Sequence, residues 1–202
     1  GVRPPAGIVT RVVRKGREQK GATTLLFLGR ADTSRAERTI LLALADVLQR
    51  RLRERLREQL GGVYGVSATG DQEMIPLPAY RLAVSFGADP ARLDELTKAV
   101  FAEIARLKAE GPTPVELDKF KEEYRRGRET AIKTNVFWLQ SIALYDQRGW
   151  PLTDLLTADR PVDSITASQL QAAAQYYLNP GHYVQVSLLP ENSAPTAKIP
   201  GA

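Results

Sequence analysis

The stretch "RTILLALADVLQRRLRERLREQLGG", residues 38–62, restricts the fold of this chain more than any other. Leu44, Leu48, Leu52, Leu56 and Leu60 recur every four residues, with Ile40 and Leu41 beside them. Such a stripe belongs to a helix that lays one apolar face on a core. Ser34 followed by Glu37 gives the pattern of a capping box at its start. Read from Arg35 to Leu60, the helix would span about 39 Å at 1.5 Å per residue. Its end, "LREQLGGVYGVSATG", is the most informative junction in the chain. Gly61 is expected to close the helix in the left-handed conformation, where a side chain would clash, and Gly62 to let the chain swing into a strand.

That junction sets two hydrogen-bond donors on either side of a sharp reversal. Arg57 falls in the last helical turn and Tyr64 at the start of the strand, 64 − 57 = 7 residues apart. A guanidinium and a phenol can both hold a peptide carbonyl or steady a developing oxyanion. The same residues also admit a plainer reading, in which Arg57 pairs with Glu54 one turn earlier and Tyr64 packs at the sheet rim. Pattern alone leaves both open, together with the sheet face Tyr64 takes.

Three further helix starts are legible from their caps: Asp89 before Pro90, Thr113 with Pro114 and Glu116, and Thr166 with Gln169. The segment from Thr113 to Gln147 reads as one long helix or two, broken near Gly127 or Asn135. Phe120, Tyr124, Ile132, Trp138, Leu139 and Ile142 are its expected inner residues. Between helices lie β-rich runs: "GIVTRVVRKG" and "GATTLLFLG", then "VYGVSATG" and "AYRLAVSFGA", and finally "HYVQVSLLP". In the fourth, Tyr80, Leu82, Val84 and Phe86 alternate with Arg81, Ala83, Ser85 and Gly87. One bulky face and one small or polar face mark a sheet covered by helices on one side only. The order predicts an α+β fold, an antiparallel or mixed sheet with helices on one face, as a single domain over residues 1–190. "GVRPPAG" reads as the start of a linker, and residues 191–202 as a loose tail.

Counts remove several function classes. The chain has 202 residues, is 43% hydrophobic, and holds no cysteine and one histidine, His182. Disulfides and a thiolate nucleophile are excluded. A zinc site needs three or four ligands, and "LNPGHYVQV" offers His182 no nearby carboxylate, so it reads as an ordinary half-buried side chain. No window approaches the roughly 18 unbroken apolar residues of a membrane helix. The net charge is +5, and many of the arginines sit in "RRLRERLRE" without interleaved aromatics to stack on bases, so neither nucleic-acid binding nor membrane insertion is expected.

"LREQLGGVYGVSA" resembles the arginine-tyrosine segment in the C-terminal half of the pitrilysin/insulinase family of zinc metallopeptidases, above all the bacterial members. "SFGADPARLDELTKAVFAEIARLKAEGPTPVELDKFKE", "KTNVFWLQSI" and "AAAQYYLNPGHYVQVSLLPE" resemble the segments that follow it, in the same order. The likeness runs from about Pro5 to Glu191. It implies a domain similar to that of the mitochondrial processing peptidase, and a protein in which two halves close like a clamshell around a peptide substrate. The N-terminal half, or a partner subunit, would carry zinc on an inverted H-x-x-E-H helix, which is absent here. By resemblance Arg57 and Tyr64 would reach across the chamber to the substrate near the metal, with Gly61 and Gly62 shaping their corner. Asn135 and Trp138 match an "N-x-x-W" segment read as structural, and Arg81 is a weak candidate for the chamber wall. The likeness further implies an exported, periplasmic peptidase. Related folds that have lost activity and serve in assembly keep a structural role open.

Overall fold

A computed structural model describes residues 5–157 and 160–192. Five strands form one sheet: β1 (Ile8–Arg14), β2 (Gly21–Arg30), β3 (Val63–Glu73), β4 (Ala79–Ala88) and β5 (Tyr183–Leu189). Their spatial order is β1-β5-β2-β4-β3, parallel between β1 and β5 and antiparallel elsewhere, so the sheet is mixed. The two first runs therefore do not pair with each other; β5 returns from the end of the chain to lie between them. The helices are α1 (Arg35–Leu52), α2 (Leu93–Glu110), α3 (Pro114–Ala131), α4 (Asn135–Arg148), a short α5 (Arg160–Asp163) and α6 (Ala167–Tyr177). The break between α3 and α4 falls at residues 132–134; Gly127 stays helical.

Period-two alternation separates the sheet's faces. Leu25 and Phe27 of β2 and Tyr80, Leu82, Val84, Phe86 and Ala88 of β4 are buried toward the helices. Across that layer Leu41, Leu44, Leu48, Leu52 and Leu56 are fully buried, each worth about 1.5–3 kcal/mol. A strict four-residue spacing drifts by about 40° per step on an α-helix. The helix absorbs this by continuing past Leu52 as a π-helical turn, Arg53–Gln59, whose wider winding keeps Leu56 in the core.

The caps form as expected at Thr113 and Thr166, both complete capping boxes. At Ser34 only half of one forms. Its hydroxyl accepts from the Glu37 N–H at 3.2 Å, but the Glu37 carboxylate accepts from the Tyr177 hydroxyl instead, tying α1 to α6. Asp89 caps a 3₁₀ turn, Pro90–Arg92, that leads into α2.

In α4 the expectation is only partly met. Phe120 is buried and Tyr124 packs beside it against the core. Trp138 is half-buried, its indole N–H donating to the Ile132 carbonyl at 2.8 Å and so fastening α4 to the end of α3. Ile132, Leu139 and Ile142, however, point to solvent. Leu139 and Ile142 share one side of α4 and Ile132 lies in the turn before it, and no element among the described residues covers them.

Candidate functional site

The helix end is built as a tight corner. The Gly61 N–H donates to the Arg57 carbonyl at 3.1 Å, and the Gly62 N–H to the Leu56 carbonyl at 3.0 Å. Gly61 has φ 56°, the left-handed conformation expected of it. Gly62 leads directly into β3, which begins at Val63; its φ is not positive, but a Cβ there would lie 2.8 Å from Leu96 Cδ2 and 2.9 Å from Arg92 Nη1. The missing side chain lets α2 close on the corner, where the Arg92 guanidinium donates to the otherwise free Leu60 carbonyl at 3.3 and 3.4 Å.

Tyr64 owes its orientation to a bulge. Val63 pairs with Ala88 and Gly65 with Gly87, which leaves Tyr64 as the extra residue of β3. Its Cδ2 lies 3.8 Å from where a Gly87 Cβ would stand. Gly87 alternates with the buried residues of β4, so the tyrosine ring occupies the face without helices. It is 65% exposed. Arg57 is exposed as well, and no hydrogen bond or ion pair engages its guanidinium among the described residues, Glu54 included. Two residues, Gly62 and Val63, lie between Gly61 and Tyr64, so their Cα atoms stand within ~11 Å, while Arg57 is hydrogen-bonded to Gly61 itself. Both side chains spring from one corner and end in water.

Lys20 joins this corner, which no local pattern announces. It precedes Gly21, which pairs with Ala88 and whose carbonyl oxygen lies 3.6 Å from the same Gly87 Cβ position. Its ammonium contacts Glu18 at 2.9 Å, and that carboxylate, with a smaller contribution from Tyr64, holds the lysine proton more firmly than usual. Only the strand order β2-β4-β3 brings Lys20 to Tyr64.

The remaining candidates lie elsewhere. Arg81 is on the open face, paired with Glu73. His182 is half-buried at the entry to β5. Among the described residues no group of three or more His, Cys, Asp or Glu could hold a metal ion, and no helix is long and apolar enough to cross a membrane.

A mixed sheet with helices on one face and an arginine-tyrosine corner at its end define an open-faced α+β unit without a metal-ligand set among its described residues. The chain belongs to the Peptidase M16 inactive domain family, which matches residues 2–124. It is similar to the Probable zinc protease PqqL of Haemophilus influenzae, 33% identical over 86 residues, which make up 42% of this chain and 9% of that protein. Its fold matches a crystal structure of a peptidase M16 inactive domain from Pseudomonas fluorescens, with a TM-score of 0.76 and 23% identity over 98% of this chain and 47% of that one. The periplasmic protease PqqL from Escherichia coli matches with a TM-score of 0.76 and 19% identity over 92% of this chain and 21% of that one. The chain thus spans under half of the length of each of these relatives.

Proposed function

We propose that this chain is the C-terminal, substrate-binding domain of a zinc-dependent endopeptidase and that Arg57 and Tyr64 contact the peptide during hydrolysis. The observation that carries the reading is the corner itself. Two strong donors stand exposed at one glycine turn, on the family's arginine-tyrosine segment, and the arginine has no partner among the described residues. Buried polar groups seek partners, and an exposed pair left free is available to a ligand.

The described residues do not fit a zinc site, so the metal belongs to another part of the molecule, the zinc-bearing half or a partner subunit. What this chain supplies is orientation and charge complementarity. The Tyr64 hydroxyl donates to the oxygen of the scissile carbonyl, and the Arg57 guanidinium donates beside it. Both bonds strengthen as negative charge gathers on that oxygen, which lowers the barrier more than it tightens binding. Gly61 and Gly62 fix the corner from which they reach. By similarity to PqqL, the protein works in the periplasm.

The test is Tyr64→Phe in the zinc-bearing protein, assayed on a quenched fluorescent peptide. Loss of one such donor is expected to lower kcat by about 10²–10³-fold, or 2.7–4 kcal/mol, with KM little changed. The 202-residue chain alone, given zinc, is expected to cleave nothing. An unchanged kcat in the phenylalanine variant refutes the assignment of Tyr64, and cleavage by the isolated chain refutes its incompleteness.

A further inference from the structure

Four buried side-chain polar atoms lack a hydrogen-bond partner among the described residues, and three of them belong to residues that border one cleft. They are Arg38 Nε, Gln72 Oε1 and Arg148 Nη1; the fourth, Arg51 Nη1, already faces Glu103 at 3.6 Å. Buried polar groups are almost always satisfied in a folded protein, so three at one place form a ready set of donors and acceptor. The cleft, of about 420 Å³, lies between the start of α1, the end of β3 and the end of α4, with Met74, Ile75 and Leu144 in its wall. It sits at the opposite end of β3 from Tyr64.

The fold fixes all three groups. Gln72 is 2% exposed, and its Nε2 donates to the Asp32 carbonyl, just before α1, at 2.8 Å. Turning that amide over would set carbonyl against carbonyl, so Oε1 is the limb left to accept. The Arg148 guanidinium donates through Nη2 to the Gln72 carbonyl and stands 5.9 Å from the centre of the Trp150 ring. Neither Arg38 nor Arg148 has an ion-pair partner among the described residues. The two acids bordering the cleft do not neutralise them. Asp71 and Glu73 alternate with buried Gln72 toward the open face, where Glu73 pairs with Arg81; Asp71 Oδ1 accepts from the Gln72 N–H at 2.8 Å. Two cationic donors, one neutral acceptor and an apolar wall therefore meet. A fully ionised anion such as sulfate would suit the donors but repel the Gln72 oxygen. A carboxylate with an N–H beside it suits all three. We propose that this cleft binds the carboxylate end of an N-acylated amino acid, the chemistry of a peptide C-terminus. Arg38 and Arg148 hold the carboxylate, Gln72 Oε1 accepts from the adjoining N–H, and an apolar last side chain lies against Met74, Ile75 and Leu144. The inference goes beyond the function proposed above and does not rest on it.

Isothermal titration of the 202-residue protein with N-acetyl-leucine is expected to show binding. Its uncharged amide, N-acetyl-leucinamide, and sulfate are each expected to bind at least about tenfold more weakly. Binding of Ala-Ala-Leu as well assigns the cleft to peptide ends, and binding of N-acetyl-leucine alone assigns it to free acylated amino acids; either supports the proposal. Arg38→Gln and Arg148→Gln are each expected to weaken the acid at least about tenfold, with circular dichroism unchanged. Should a variant unfold, the comparison of acid with amide in the wild type decides. A wild type that binds none of these ligands, or binds the amide or sulfate as tightly as the acid, overturns the proposal, since water then suffices for the three atoms. So does binding by the 202-residue chain that the zinc-bearing protein does not share, which would give the cleft to another part of that molecule.

Discussion

Arg51 and Arg57 lie six residues apart on one continuous helix and meet opposite fates. Arg51 is only 8% exposed. Its Nε and Nη2 donate to the two oxygens of Glu116 at 2.6 and 2.8 Å, and Nη2 also donates to the Gly111 carbonyl at 2.9 Å. Glu103 stands 3.6 Å from Nη1. Arg57, inside the π-helical turn, is exposed and has no partner among the described residues. The same side chain is a structural rivet where α2 and α3 converge and a free donor where the helix runs out over the sheet's end. What decides is the company each position keeps after folding, and the contrast can be broken at either end.

The largest effect is expected at the buried end. Arg51→Met removes one partner of a buried ionic cluster, leaving Glu116 without its cation and Glu103 with only Arg106 at 3.8 Å, a change that typically costs about 3–5 kcal/mol. Urea unfolding should report that loss, and adding Glu116→Met should restore much of it, because the stranded carboxylate is then gone. If Arg51→Met unfolds at the wild-type midpoint, the cluster contributes nothing and the contrast with Arg57 is only one of exposure.

Acid sharpens the same comparison. Burial alone would raise the Glu116 carboxyl, but the Arg51 guanidinium and the N–H and hydroxyl of Thr113 outweigh it and hold its pKa at about 2, below the ordinary 4.5. A lowered folded-state value means the stabilisation is present above about pH 4.5 and is lost as the pH falls toward 2. At up to about 1.36 kcal/mol per pKa unit, the loss approaches ~3 kcal/mol. Stability measured from pH 5 to 2 should therefore fall more steeply in the wild type than in Glu116→Gln. Parallel curves would contradict the ion pair.

Smaller again is the corner between the two regions. Gly61→Ala puts a Cβ into a left-handed residue and is expected to cost about 1–2 kcal/mol, seen as a lowered melting temperature. The space there is open, so the cost is conformational and not steric. This much was legible in the sequence, because a helix end is a local event. The same holds for the leucine stripe, the caps and the alternation of β4, all set by neighbours within a few residues. Other features depend on strands distant in the chain. The bulge that turns Tyr64 onto the open face is a matter of register between β3 and β4. Lys20 reaches Tyr64 only through sheet order. The role of Gly62 is set by Leu96 and Arg92, 34 and 30 residues on. On α4 the period was readable but its direction was not, since an apolar stripe has the same spacing whether it faces its own core or another molecule.

The smallest expected effect on stability carries the most information about function. Arg57→Ala deletes a side chain with no hydrogen bond or ion pair among the described residues, and exposed substitutions of that kind usually change stability by no more than about 0.5 kcal/mol. Its melting temperature should match the wild type within that margin, in contrast to Arg51→Met six residues away. If Arg57 serves substrate as proposed, the same variant in the zinc-bearing protein should lose turnover, and Arg57→Lys should restore only part of it, since an ammonium cannot reproduce the planar fork. A loss of stability comparable to that of Arg51→Met would instead show that Arg57 holds the corner together. The two arginines would then differ in degree only, and Tyr64 would be left as the single free donor at the rim.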